Sequence, residues 1–217
     1  MVNLYSYEAE DFEAQAIKIK KLFYKYKARV AAIDANGLGA GLIDFMTKGQ
    51  EDPETGEFLP PFGVAGGTSE EFNEQYKKIK GVGVEEDAMY LIKANAPINT
   101  EAHTYVQTQL VGGKIQFLID EVQAKTKLMA TKMGQEMDAS KRADYLMPFT
   151  QTTILREQLL NLVEDNEGTN IILKQSSRSI PKDKFSAFEY GLYYIKQEEE
   201  RSKRRKKRNI AEMMFFS

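Results

Sequence analysis

An aspartate at the end of a short apolar run is the feature of this sequence that most clearly suggests chemistry. The mostly apolar run at 29–33 predicts a buried strand that ends at Asp34. Asn36 and the glycines at 37, 39 and 41 favour a tight turn into a helix. In α/β sheets ligands bind beyond the carboxyl ends of strands, and hard cations prefer oxygen donors. Asp34 is therefore a candidate ligand for Mg²⁺ or Mn²⁺.

Two other interpretations of this segment stay open. Aspartate is a preferred helix N-cap residue, so Asp34 can also cap the helix that follows. The glycines also resemble a nucleotide-binding loop. However, no Lys-Ser or Lys-Thr pair follows them, and their spacing does not match GxGxxG.

A second carboxylate, Asp183, lies in the predicted first turn of a long helix that Pro181 opens. The helix dipole favours an anion at that position by roughly 0.3–1 kcal/mol. A simple acid at a helix start explains Asp183 equally well. If Asp34 and Asp183 converge, they can hold a metal pair about 4 Å across that activates water for phosphodiester hydrolysis.

Composition excludes several other kinds of site. The chain has 217 residues, no cysteine and one histidine, His103. Disulfides, thiolate zinc sites and cysteine nucleophiles are excluded, and a histidine-based triad is not expected, so any metal must be held by carboxylates. No apolar stretch approaches the roughly 18 residues of a membrane span, and no signal-peptide pattern opens the chain. We therefore expect a cytoplasmic protein.

The elements that position these residues alternate between strand and helix, which predicts an α/β fold with a parallel pair of strands. An open, mixed sheet is expected to include the strands at 2–7, 29–33 and 170–174. Strands are also predicted at 88–93 and 114–119, and a long loop at 48–70. Helices are predicted at 9–27, 38–47, from Asn99 or Thr100 to 110, within 121–164 with an interruption near Pro148, and from Pro181 onward.

The last segment of the sequence is strongly basic, although the net charge of the whole chain is −2. Residues 201–217 contain seven basic groups and one acid, whereas the preceding 200 residues are acidic. Such a segment can bind a phosphate backbone or an acidic protein surface. It can also be a solvated end that pairs with the three glutamates at 198–200.

Four segments together resemble the large terminase subunit of tailed bacteriophages, specifically its C-terminal nuclease domain. They are IDANGLGAGLIDFM at 33–46, NAPINTEAHTYVQTQL at 95–110, GKIQFLID at 113–120 and KDKFSAFEYGLYYIK at 182–196. The resemblance implies an RNase H-like mixed sheet flanked by helices and metal-dependent cutting of concatemeric DNA during genome packaging. It implies that Asp34 and Asp183 match the second and last metal-binding acids of the family. Residues 1–200 would form a partial nuclease domain, and residues 201–217 a basic C-terminal tail.

The resemblance also implies partners and a location. Double-stranded DNA, the portal or procapsid and the small terminase subunit are the expected partners, in the cytoplasm of the infected bacterial host. Two departures from the family stand out. The strand that carries its first catalytic aspartate should precede Val2, and the ATPase motif GxxxxGK[ST] does not occur.

Those departures leave three hypotheses. The chain is the nuclease portion of a packaging motor, another RNase H-like nuclease such as a junction resolvase, or an inactive fragment that binds DNA or docks on the portal and procapsid.

Overall fold

A computed structural model of the chain describes residues 3–7, 11–37, 39–76 and 83–214, without the side chains of Glu86 and of 206–214. The chain divides into two compact units. The helical unit comprises Met1–Glu8 and Val106–Phe188, and the sheet unit comprises Ala9–Tyr105 and Glu189–Ser217.

The described elements of the sheet unit mix helices and strands, and three strands follow one another between its second and third helices. In order they are α1 Phe12–Lys25, β1 Ala31–Asp34, α2 Gly39–Met46, β2 Gln50–Glu51, β3 Phe58–Leu59, β4 Phe62–Gly67, α3 Glu70–Tyr76 and β5 Glu85–Ile92. Helix α4, Ala96–Val111, starts in the sheet unit and crosses into the helical unit.

The helical unit continues with three helices and a hairpin. These are α5 Glu121–Met129, α6 Lys132–Glu136, α7 Ala139–Leu160, β6 Leu162–Glu167 and β7 Asn170–Gln175. The last described helix, α8 Asp183–Met214, starts in this unit and returns to the sheet unit.

A three-stranded parallel sheet in the order β1-β5-β4 organises the sheet unit. Residues along β5 alternate between two cores, as expected for a strand buried on both faces. Met89 and Leu91 join a first core cluster with α1 and α2, whereas Tyr90 and Ile92 join a second with Tyr193 of α8. Within the described residues no strand pairs with the outer side of β1, so β1 is an edge strand.

The structure confirms a mixed α/β fold but corrects three predictions about strands. Residues 3–7 of the predicted strand at 2–7 form no strand, and Val2 lies outside the described residues. Asn3 instead bonds locally to the Leu4 amide and the Tyr5 hydroxyl, and such bonds compete with strand pairing. The predicted strand at 170–174 exists as β7, but it forms an antiparallel hairpin with β6 rather than joining the parallel sheet.

The predicted strand at 114–119 is also wrong. A distant side chain, rather than a neighbouring strand, provides a hydrogen bond to the backbone of this segment. Arg156 donates to the Leu118 carbonyl and lies over the Phe117 ring, and that ring packs on Phe188. A half-buried apolar run of this kind has a sequence pattern that cannot be distinguished from that of a short strand.

Three further boundaries differ from the prediction. The predicted loop at 48–70 contains β2, β3 and β4. Helix α4 begins at Ala96, where Asn95 accepts a hydrogen bond from the Ile98 amide and so caps the helix in place of Asn99 or Thr100. Helix α7 runs through Pro148 without interruption, because buried Leu146, Thr152 and Leu155 anchor it on both sides.

Candidate functional site

Asp34 is the last residue of β1 and is exposed at the carboxyl end of the parallel sheet. Its Oδ1 accepts a hydrogen bond of 2.9 Å from the Asn36 amide, which fixes the carboxylate in a local turn. Helix α2 begins only at Gly39, so Asp34 lies too far upstream to be its N-cap. The helix-cap interpretation is therefore wrong, and the carboxylate remains at the sheet edge.

The glycines after Asp34 have a steric explanation. Gly37 has a φ of 54°, a left-handed conformation that glycine adopts readily. A Cβ atom at Gly39 would lie 1.8 Å from the Asp34 carbonyl oxygen, so only glycine fits there. The glycine-rich turn brings the chain back close to the end of β1. This close approach explains the glycine at position 39 without a bound nucleotide.

Neighbouring strands contribute further polar groups to the same edge. The Asn36 side-chain amide donates to the Ala94 carbonyl just beyond β5, at 3.4 Å. Thr68, just beyond β4, donates through its hydroxyl to the Lys93 carbonyl and accepts a bond from the Lys93 amide. The carboxyl ends of all three strands are thus joined by polar contacts.

Strand alternation places Asp34 on the face of the sheet that α8 covers. Ile33 belongs to the first core cluster, whereas Ala32 packs against the second, and successive side chains of a strand point to opposite faces. Asp34 therefore lies on the face of Ala32. Its register partner Ile92 belongs to the same second cluster, as does Tyr190 of α8.

The negative charge of Asp34 affects the pKa of Tyr190 on α8. Burial, followed by the negative charges of Asp34 and Glu189, raises the pKa of Tyr190 to about 12, so its hydroxyl is protonated at neutral pH. The hydroxyl donates to Asn99 Oδ1 at 3.5 Å, a long and therefore weak hydrogen bond. The effect of Asp34 on Tyr190 could not be predicted from the sequence, because it depends on the docking of α8.

A buried carboxylate–imidazole pair adjoins Tyr190 in the chain. His103 Nδ1 of α4 contacts Glu189 Oε1 of α8, and the two side chains are only 12% and 4% exposed. This pair was not predicted. The only available signal was that Glu189 follows Phe185 by four residues and so continues the buried stripe of α8, with a charge where an apolar residue is expected.

Asp183 is the first residue of α8, as predicted, and it is exposed. Pro181 lies two residues before the helix rather than in its first turn. Asp183 belongs to the helical unit and Asp34 to the sheet unit, so their convergence stays a prediction. Asp44, also near the glycine turn, accepts a 2.9 Å bond from the Tyr76 hydroxyl, which is a structural contact.

The donors around Asp34 match Mg²⁺ in type but not in number. The Asp34 carboxylate and the Ala94 carbonyl, to which the Asn36 side chain donates, are hard oxygen donors with a single negative charge. Among the residues described, no group of three or more histidine, aspartate and glutamate side chains is arranged to hold a metal. Asp34 therefore needs carboxylates from elsewhere to complete a metal centre.

The basic segment continues α8 as helix to Met214. Two of its arginines pair with the preceding glutamates, since Arg201 lies 2.7 Å from Glu198 and Arg204 lies 3.9 Å from Glu200. The predicted internal pairing therefore occurs for these two residues. Both arginines are at the surface, as are Lys203 and Arg205.

Comparison with models of protein families, with curated proteins and with solved structures gives no match to this chain. Of the helices that the structure describes, none has the length and apolar character that crossing a membrane requires.

Proposed function

We propose that this chain is the C-terminal nuclease portion of a phage terminase large subunit, which cuts concatemeric DNA during genome packaging. The observation that carries the proposal is the position of Asp34, exposed at the carboxyl end of a parallel edge strand. Ligands of α/β sheets bind at that end. The four sequence segments that resemble the terminase family include both this strand end and the start of α8.

In this proposal Asp34 and Asp183 hold Mg²⁺ or Mn²⁺, which would activate water and stabilise the leaving oxygen of a phosphodiester. The Asn36 amide keeps the Asp34 carboxylate oriented through the bond to Oδ1. The remaining acid would be the family's first aspartate, on a strand that pairs with the outer side of β1, where the described residues place no strand. An edge strand invites such pairing, so association of the chain through β1 is also expected.

The proposed partners are double-stranded DNA, the portal or procapsid and the small terminase subunit, and the proposed location is the cytoplasm of the infected bacterium. The surface cations in the second half of α8 support a DNA partner.

A second candidate is an inactive fragment that binds DNA or docks on the portal and procapsid. The described part of the chain brings no group of three acids or histidines together to hold a metal, which favours this candidate, because one carboxylate holds Mg²⁺ weakly. A junction resolvase is the third candidate, and it would prefer branched DNA to linear duplex.

Nicking of supercoiled plasmid with Mn²⁺ tests the proposal. We expect slow or absent nicking by the chain alone and faster nicking when a longer chain supplies the first aspartate strand. Asp34→Asn and Asp183→Asn should each abolish the nicking of the longer chain, whereas Asp44→Asn, a matched aspartate near the same turn, should retain it. Full activity in Asp34→Asn would exclude the proposed site. Strong nicking by the chain alone that Asp34→Ala abolishes would show that another acid already completes it.

A further inference from the structure

Arg201 differs from the exposed cations that follow it in α8, because three contacts orient its guanidinium. The guanidinium lies over the ring of Tyr90 on β5, 5.6 Å from the ring centroid, which is a cation–π contact. Its Nη1 donates a 2.7 Å bond to Glu198, one turn earlier in α8. Its Nη2 lies beside Gly66 of β4, where an added Cβ atom would be 3.9 Å away. The position of this charge is therefore fixed against the sheet.

One edge of the Arg201 guanidinium is open to a ligand. Glu198 engages Nη1, and no other described residue bonds to the edge formed by Nε and Nη2. The side chain is 47% exposed, so a ligand can reach it from solvent. Gly66 has no side chain to cover this edge, and its φ of 147° disfavours any residue that has one. A planar edge with two N–H donors matches two oxygens of a phosphate group.

Arg201 lies on the same face and at the same end of the sheet as Asp34. Tyr90 belongs to the second core cluster, which is on the face that α8 covers and to which Asp34 also belongs. Gly66 pairs in register with Tyr90 near the carboxyl end of β4, and Asp34 pairs with Ile92 at the same end of β5. Only β5 separates β1 from β4, so the two strand ends are roughly 10 Å apart across the sheet. Ligands of α/β sheets bind at this end.

The two acids directly before Arg201 have other partners. Glu199 accepts a 3.3 Å bond from the hydroxyl of Tyr105 on α4, and Glu200 pairs with Lys196 at 3.0 Å. These contacts direct part of the negative charge of the segment away from the arginine. Exposed cations follow within the next turn of α8 and favour an anionic ligand there.

We propose that Arg201 is a phosphate-binding residue, whose Nε and Nη2 donate two hydrogen bonds to a backbone phosphate of bound DNA at the carboxyl end of β4. This inference rests on the proposed function, since it takes DNA as the ligand, but it requires no metal. The exposed cations that follow attract the DNA backbone by charge alone. Arg201 instead fixes one phosphate beside the end of the sheet that carries Asp34.

The test compares substitutions that conserve charge, with EDTA present throughout. Fluorescence anisotropy of a labelled DNA duplex is measured with the purified full chain over a range of salt concentrations. We expect Arg201→Lys to weaken binding about tenfold, the loss of one hydrogen bond to a charged group, because lysine lacks the planar pair of donors. The slope of log affinity against log salt concentration should stay the same, since the charge is unchanged.

Arg205→Lys is the matched control. Arg205 is exposed, and none of the described residues orients its guanidinium, so lysine should replace it without loss of affinity. The thermal midpoints of both variants should match that of the wild type, because both positions are at the surface.

Wild-type affinity in Arg201→Lys would overturn the inference, since Arg201 would then act only as a charge. Equal losses in Arg201→Lys and Arg205→Lys would overturn it too, because the fixed guanidinium would then bind no better than an exposed one. In both cases DNA binding by the wild type would leave the proposed partner standing. A wild type that binds no duplex would overturn the proposed partner and the inference together.

Discussion

Glu189 of α8 and His103 of α4 form a carboxylate–imidazole pair that is almost fully shielded from solvent. Losing one partner of a buried polar contact typically costs about 1–3 kcal/mol. His103 lies one turn after Asn99 on α4, and Glu189 directly precedes Tyr190 on α8. The contact therefore helps to fix these two helix turns against each other.

We predict that His103→Ala lowers the free energy of unfolding by about 2 kcal/mol, because Glu189 then loses its buried contact with the imidazole. Urea denaturation measures the loss. Lys132→Ala is the control, since Lys132 and Glu136 form an exposed pair at 3.8 Å whose removal should cost less than about 0.5 kcal/mol. Similar losses for the two variants would show that the buried pair contributes no more than a surface one.

Lys20 of α1 makes stability depend on pH. It is fully buried, donates a 2.6 Å bond to the Lys48 carbonyl, and burial lowers its pKa from 10.5 to about 8. Between these two values the unfolded chain holds a proton that the folded chain lacks. Stability therefore rises with pH across this window, by at most about 3 kcal/mol.

We predict that Lys20→Met removes this rise, as measured by chemical denaturation from pH 7.5 to 10. The exposed Lys25→Met is the control and should keep the wild-type profile. Tyr24 and Tyr76 act in the opposite direction from about pH 10 upward, where unfolded tyrosines ionise while burial holds the folded pKa values at about 12, and both methionine variants retain this effect. Parallel profiles for the two methionine variants would show that Lys20 titrates normally.

The basic half of α8 predicts DNA binding that depends on salt but not on base sequence, because phosphate contacts release counterions and carry no direct base information. Deleting residues 201–217 should weaken duplex binding and flatten the plot of log affinity against log salt concentration.

Single substitutions sharpen this test. Arg205→Gln should reduce the slope by roughly 0.9, the value for one phosphate contact. Arg204→Gln should reduce it less, because Arg204 already lies near Glu200. An unchanged affinity and slope after the deletion would mean that the segment is a solvated end or a docking segment for a protein.

Local sequence signals predicted the elements that hold the two aspartates. The strand before Asp34 and the long helix that holds Asp183 were both predicted, although the helix starts two residues later than predicted, because a short buried strand and an amphipathic helix leave local patterns. The segment at 114–119 was misassigned, because Arg156, which is distant in sequence, satisfies the Leu118 carbonyl. His103, Glu189 and Tyr190 could not be brought together from sequence, since their contacts form only when α4 and α8 pack.

A crystal structure of the chain soaked in Mn²⁺ tests the central claim most directly. Anomalous scattering locates the ion without reference to activity, and Mn²⁺ prefers the same oxygen ligands as Mg²⁺. The account predicts a peak within roughly 2.2 Å of carboxylate oxygens from both Asp34 and Asp183, at a site about 4 Å across if two ions bind. Carboxylates of Asp34 and Asp183 more than about 10 Å apart, with no peak at Asp34, would contradict it, since a two-metal site cannot span that distance.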